Sequence, residues 1–265
     1  MRKTFGKLWF YLIIAFMYAP IVILIVYSFN SSRTVGNWTG FSLTWYKELI
    51  HNREIINALI TTVEVAFLAA SISTVIGTLA AIALHGSGAF AKKTLFSMAY
   101  LPMLNPDIVT GVSLMLLFGS IGLTLGFKTM MLSQMSFCVP YVILSVMPKL
   151  RGLNRSTYEA ALDLGANRFT AYKKVVLPEI APGIITGFLI SLTLSLDDFM
   201  ISYFNTGGGV KNLSILIYAS TKTGIKPVYN ALSAIMFSAV LILLVIINIR
   251  QLNAEKKKSS EGVSL

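Results

Sequence analysis

Long apolar runs dominate this chain, and its polar positions are gathered between them. A helix needs about 20 predominantly apolar residues to cross the hydrocarbon core of a bilayer. Six segments meet or nearly meet that length, over 8–29, 58–84, 94–118, 128–148, 180–204 and 228–249. The third is interrupted by Pro102 and by Asn105-Pro106-Asp107, where a helix is expected to stop and restart, with Asn105 as cap and Asp107 in the first turn. The fourth carries Pro140, a predicted kink. The first comes after Arg2, Lys3 and Lys7 as a signal peptide would, but its apolar part is too long and no small-residue cleavage site succeeds it, so it reads as an uncleaved span.

Of the segments between spans, 30–57 is polar and aromatic, with Trp38, Trp45 and Tyr46 expected at the interface of an external loop. His85 to Lys93 is a short basic turn, 205–227 is a loop containing three consecutive glycines, and the polar tail over 253–265 is expected to be disordered. One polar segment is built differently. In Ser156 to Pro178, S-T-Y-E-A-A-L-D-L-G-A-N-R-F-T-A-Y-K-K-V-V-L-P, Ser156 and Glu159 have capping-box spacing. They predict a helix through Ala160, Ala161 and Leu162 that stops at Gly165. Asn167 then caps a second short helix, which continues through Val175 and Val176 until Leu177-Pro178 interrupts it.

Composition agrees with the pattern: 55% of the 265 residues are hydrophobic and only 12% charged, and the mean hydropathy is +0.73. The expected class is all-α, a polytopic integral membrane protein with six transmembrane helices. The single cysteine, Cys138, leaves no intrachain disulfide and no cysteine zinc site, and His51 and His85 stand far apart, so no metal site is expected. The net charge of +11 is topological. Fifteen of the 22 Lys and Arg fall in the N-terminal tail, the 85–93 turn, the 149–178 segment and the C-terminal end, and seven fall on the opposite side. By the positive-inside rule both termini and the 149–178 loop are cytoplasmic, and nucleic-acid binding is set aside.

No Lys or Arg lies within the spans proper, Lys128 standing at the outer end of the fourth, whereas Glu64, Asp107, Asp197 and Asp198 do. An ionisable group in a span costs several kcal/mol unless it faces a cavity or a partner, so each of the four is a candidate functional residue. A pathway lined by carboxylates favours cations and rejects sulfate- or phosphate-like substrates. On the fifth span Ser191, Ser195, Asp198, Ser202 and Asn205 fall in a sector of about 80° at 100° per residue, a polar stripe expected to line water or substrate. Asp198 is therefore expected to meet substrate, and Asp197, about 100° away, to be a second ligand or a structural partner of another helix. Asp107 has an alternative reading as a carboxylate stabilised by a helix N-terminus. Glu64, near the outer end of its span, has one as a group reaching interfacial water.

Glu159-Ala160-Ala161, Gly165, Val175 and Leu177-Pro178 stand at the spacing of the EAA loop, and the chain thereby resembles the permease subunits of bacterial ATP-binding-cassette importers, with Val175 where isoleucine is usual. The similarity extends over all six spans. Asn105-Pro106-Asp107-Ile108-Val109, the S-L-D-D-F around Asp197 and Asp198, and an early Y-S-F-N-S-S-R resemble most the C-type permeases of spermidine/putrescine importers, apart from Asn105 in place of serine and the loop tips.

The resemblance implies a complex in the bacterial cytoplasmic membrane. Its members are a second homologous permease, an ATPase dimer that binds ATP and Mg, an extracytoplasmic substrate-binding protein and a polyamine substrate. It further implies that Glu159 contacts the ATPase and Gly165 is the joint of the coupling helix. The chain lacks a G-x-x-x-x-G-K-[ST] phosphate loop, so ATP hydrolysis is expected on a partner, with no catalytic residue and no cofactor here. The alternatives are an importer of another cationic or neutral solute and an ion-coupled secondary carrier, which would have no reason to carry the EAA spacing. A membrane-embedded enzyme has no nucleophile–base pair to support it.

Overall fold

The computed structural model describes residues 2–33, 37–224 and 226–261, and these form an all-α fold. In chain order the helices are α1 (Arg2–Ser28), α2 (Thr44–His51), α3 (Arg53–Gly86), α4 (Ala89–Leu104), α5 (Asp107–Ser120) and α6 (Phe127–Arg151). Then come α7 (Arg155–Asp163), α8 (Arg168–Ala171), a π-helical turn (Tyr172–Val176), α9 (Leu177–Asp197), α10 (Met200–Asn205), α11 (Leu213–Thr223) and α12 (Val228–Glu261). Among the described residues four stretches are long and apolar enough to cross a membrane: Trp9–Ser28, Arg53–Gly86, Phe127–Arg151 and Arg168–Asp197. The third expected span falls short, and the sixth lies within α12. Pro106, with no amide hydrogen, breaks the third into α4 and α5.

Two loops expected from sequence contain helices, α2 and α11, and α12 runs on through Glu261, so 253–261 is helical where a disordered tail was expected. The remaining tail residues, 262–265, lie outside the described residues.

The chain forms two compact units, residues 57–216 and residues 1–56 with 217–265. In the first, α6 is the central helix. Its partner α9 presents Gly183, Gly187, Ser191 and Ser195, every fourth residue, all buried. A Cβ on Gly183 would sit 2.9 Å from the Ser145 carbonyl, and one on Gly187 3.2 Å from Val142 Cα. Cys138 Sγ reaches the Ser191 carbonyl at 3.5 Å. The falling numbers on α6 against rising ones on α9 make the pair antiparallel, and the small residues let the two backbones approach. A second close approach comes from α3: a Cβ on Gly77 would lie 2.6 Å from Val142 Cβ, and Ser73 Oγ donates to the Met135 carbonyl at 2.9 Å.

In the other unit, Asn30 organises the loop after α1. Its side chain donates to the Asn37 carbonyl (2.6 Å) and accepts from Thr39 N–H (2.9 Å), while Trp45 Nε1 donates to its backbone carbonyl (2.6 Å). Trp45 is buried accordingly, not at an interface as its aromatic loop suggested. Phe29 stacks on Phe41 with ring centroids 5.3 Å apart.

Candidate functional site

Three of the four intramembrane acids converge on one open cavity of about 370 Å³, where Asp107, Asp197 and Asp198 are joined by Phe137, Phe199 and Met200. The convergence begins with a helix break that neither Gly nor Pro causes. Helix α9 ends at Asp197, Asp198 is extended (φ −65°, ψ 130°), and α10 starts at Met200. The Asp198 side chain caps the new helix, Oδ1 accepting Ile201 N–H at 3.2 Å and Oδ2 accepting Ser202 N–H at 2.8 Å. Gln134 on α6 then donates from Nε2 to Asp198 Oδ2 at 2.5 Å and to Ser202 Oγ at 3.0 Å.

Helix α10 is held against α5 by Asn205, whose Nδ2 donates to the Gly111 carbonyl at 3.0 Å. The approach is close enough that a Cβ on Gly111 would stand 3.2 Å from the Met200 carbonyl. Thr129 Oγ1 on α6 donates to the Asn205 carbonyl at 2.8 Å. Asp107 lies four residues before Gly111 and so on the same face of α5. The contact that seats α10 thus brings Asp107 to the cavity that Asp197 also lines.

The aspartates differ in what they are free to do. Asp198 is only 8% exposed and carries three donors, whereas Asp107 and Asp197 are exposed. The sequence expectation had put Asp198 towards substrate and offered the structural task to Asp197. The polar stripe is likewise turned inward: Ser191, Ser195, Ser202 and Asn205 are all at most 4% exposed and do not line the cavity. The small residues of α9 draw that face against α6, and its oxygens are enclosed by protein. Glu64 is exposed on α3 among Ile60, Val63 and Phe67, away from this cavity. At the third-span break, Asn105 is the C-cap of α4, Pro106 occupies the N-cap position of α5, and Asp107 opens its first turn as expected. Gln134 carries no charge and so stands apart from the intramembrane acids, although a lone amide in L-S-Q-M-S-F is the same kind of signal.

The segment from Asn154 to Pro178 forms a second, separate feature. Asn154, not Ser156, caps α7: its Oδ1 accepts from Ser156 N–H (3.1 Å) and Ser156 Oγ (2.7 Å). The hydroxyl of Ser156 is drawn back to Asn154 and forms no capping box. Gly165 takes φ +87°, a left-handed joint, and Asn167 caps α8 through Thr170 N–H at 2.7 Å. Leu177-Pro178 does not interrupt the helical path beyond α8. Pro178 lacks an N–H and its ring would strike the Lys174 carbonyl, and the backbone widens into the π turn, with Leu177 N–H bonded to the Tyr172 carbonyl, before continuing as α9. Tyr158 and Tyr172 pack edge to face at 5.4 Å, fixing α7 to that turn. Glu159, Ala160, Gly165, Leu177 and Pro178 are exposed and Ala161 is half-buried. At the joint Leu164 is 89% and Phe169 77% exposed.

Residues 73–259 match a family described as the inner membrane component of binding-protein-dependent transport systems. The chain belongs to this family. The permease is 40% identical over 236 residues to the spermidine/putrescine transport system permease protein PotC of Haemophilus influenzae, covering 89% of this chain and 92% of that one. It is 39% identical over 250 residues to PotC of Escherichia coli K12, with 94% of each covered. It is 38% identical to the putrescine transport system permease protein PotI of the same strain, covering 92% of this chain and 89% of that. Among solved structures it shares the fold of a bacterial ABC transporter involved in the import of the acidic polysaccharide alginate (TM-score 0.68, 17% identity, 94% of each chain). It also shares that of the MetNI methionine ABC transporter (TM-score 0.58, 18% identity, 74% of this chain and 95% of that). The permease is thus a polytopic inner-membrane transport subunit and not an enzyme.

Proposed function

We propose that the permease carries polyamines, spermidine or putrescine, into the cytoplasm, driven by ATP hydrolysis on a partner ATPase dimer and supplied by an extracytoplasmic binding protein. The observation that carries the reading is the pair of exposed carboxylates, Asp107 and Asp197, on one cavity of about 370 Å³. Two carboxylates from different helices, Asp107 on α5 and Asp197 on α9, suit a cation with more than one ammonium, and Phe137, Phe199 and Met200 suit its methylenes. The names of the relatives agree with that chemistry.

The expected arrangement has six spans within residues 8–252 as one permease domain, residues 1–7 and 253–265 as cytoplasmic tails, and both termini cytoplasmic. A second homologous permease completes the pathway, and Glu64, on an otherwise apolar exposed face, serves at that boundary. Residues 149–178 form the coupling loop. Helix α7 with Glu159, Ala160 and Ala161 docks on the ATPase, the exposed Leu164 and Phe169 supply the apolar part of the contact, and Gly165 lets the chain turn back into α8. Tyr158 on Tyr172, and the unbroken run from α8 into α9 past Leu177 and Pro178, then carry a displacement of α7 towards the cavity end of α9.

The test is uptake of labelled spermidine and putrescine by cells whose own importers are deleted and which express this permease with its partner subunits. Asp107→Asn and Asp197→Asn should each lower uptake at limiting substrate about tenfold or more while the complex still assembles. Undiminished uptake in both variants would refute the assignment.

A further inference from the structure

We propose that Tyr203 is a specificity residue at the outer mouth of the cavity, its ring offering a π face to an ammonium of the entering substrate, an assignment that rests on the reading of the cavity as the polyamine site and on both termini being cytoplasmic.

In that orientation α9 runs outwards and α10 continues beyond it, so the residues of α10 lie on the outer side of Asp197. Phe199 and Met200, where α10 begins, line the cavity. Tyr203 comes four residues after Phe199 and three after Met200, which sets it on the same side of α10 one turn further out. The ring contact agrees with that placement, the Phe199 and Tyr203 centroids standing 5.3 Å apart at an interplanar angle of 39°. Tyr203 also meets Phe204 edge to face at 5.4 Å. Phe204 in turn lies against α5, its Cδ2 3.3 Å from the position a Cβ on Gly111 would take. The helix that carries the ring is itself fixed, with Asp198 capping its start and Asn205 tying its end to the Gly111 carbonyl. Ile201, Ser202 and Asn205 are buried on it, whereas Tyr203 is 43% exposed. The ring is thus braced by two others and still open to an incoming group.

A tyrosine near a helix end also suits the bilayer interface, but an anchor of that kind has no need to touch the wall of a cavity. The negative face of an aromatic ring attracts an ammonium, and at a half-exposed position the gain in occupancy is about three- to tenfold. A ring carries no net charge, so it holds a cation less firmly than a carboxylate does and can pass it one turn inwards to Asp197. A neutral solute gains nothing comparable from either group. Tyr203 and Phe199 therefore add a selection for cations ahead of the carboxylates.

The measurement is spermidine uptake per ATP hydrolysed by the assembled complex in proteoliposomes, with the binding protein saturated by spermidine. Tyr203→Leu should lower that ratio about three- to tenfold, whereas Tyr203→Phe and Tyr203→Trp, which keep a π face, should stay within about twofold of wild type. Loss of packing or of a bilayer anchor lowers uptake and hydrolysis together and leaves the ratio where it was. If Tyr203→Leu does not assemble, the ratio is read in Tyr203→Met, whose unbranched apolar side chain packs more adaptably. A ratio unchanged in the assembled Leu or Met variant, or lowered as far by Tyr203→Phe as by Tyr203→Leu, overturns the role of the ring and leaves the substrate assignment standing. Wild-type complex that imports neither spermidine nor putrescine overturns both.

Discussion

Asp197 and Asp198 are adjacent, chemically identical and line one cavity, so exchanging each for alanine is a direct trial of the division of labour between them. Asp198→Ala removes the cap of α10, a loss of about 1 kcal/mol. It also strands the Gln134 amide, which is fully buried and would keep only Ser202 Oγ as a partner. An unmet buried donor adds about 1–3 kcal/mol. The expected loss of stability is therefore about 2–4 kcal/mol. Asp197 is exposed at the end of α9, and Asp197→Ala should change stability by less than about 0.5 kcal/mol. Transport should respond in the opposite order once corrected for the amount of folded complex, with Asp197→Ala losing more uptake per folded molecule than Asp198→Ala. Thermal unfolding of the detergent-solubilised complex gives the first quantity, and initial uptake normalised to membrane-resident protein gives the second. Equal destabilisation by the two variants would refute the reading of Asp198 as the structural member.

At Gly165 (φ +87°) any β-branched residue is strained, and Gly165→Val should destabilise the joint by about 1–2 kcal/mol and lower the uptake driven per ATP hydrolysed; an unchanged ratio of uptake to hydrolysis counts against the coupling role. Replacing the exposed Leu164 and Phe169 together by Ser should weaken retention of the ATPase on purified permease without lowering permease stability, as read by co-purification. Gly77→Ala sets a methyl 2.6 Å from Val142 Cβ and should cost about 1–3 kcal/mol, whereas Gly86→Ala meets nothing within 4 Å and should gain about 0.5–1 kcal/mol; a thermal shift of the same sign in both would contradict the packing of α3 on α6.

The elements visible in the sequence are those set by local chemistry. Apolar run length placed the long helices, Asn167 and Gly165 announced a cap and a joint, and Asn105-Pro106 announced a break, because each acts within a few residues of itself. The misread features depend on partners distant in the chain. The break after Asp197 has no Gly or Pro to mark it, and α10 beyond it is seated by partners far away in the chain, Asn205 on the Gly111 carbonyl and Thr129 on the Asn205 carbonyl. The stripe through Ser191, Ser195 and Ser202 has the periodicity of a water-lined face, yet periodicity states only that one side differs, not what covers it. Small residues at the same spacing, Gly183 and Gly187, extend the stripe and are the feature that distinguishes a helix–helix seam from a pore lining. Pro178 has the look of a stop, although a π turn can absorb a proline when the helix on either side is packed.

The break has an electrostatic consequence beyond freeing Asp197. A helix that ends inside an apolar environment leaves its last carbonyls without intrahelical donors, and their partial negative charge adds to any carboxylate in the last turn. Thr193, Leu194 and Asp197, at the C-terminal end of α9, all line the cavity. Asp197 therefore stands where the helix dipole disfavours an anion, and a cation placed beside it relieves both charges together. Asp107 is the opposite case, since it opens α5 where the dipole already stabilises a carboxylate. The two carboxylates are thus unequal, and an ammonium gains more beside Asp197 than beside Asp107. Such a gradient would draw one end of a linear polyamine first and leave the other more weakly held, consistent with a transport site from which substrate must also depart.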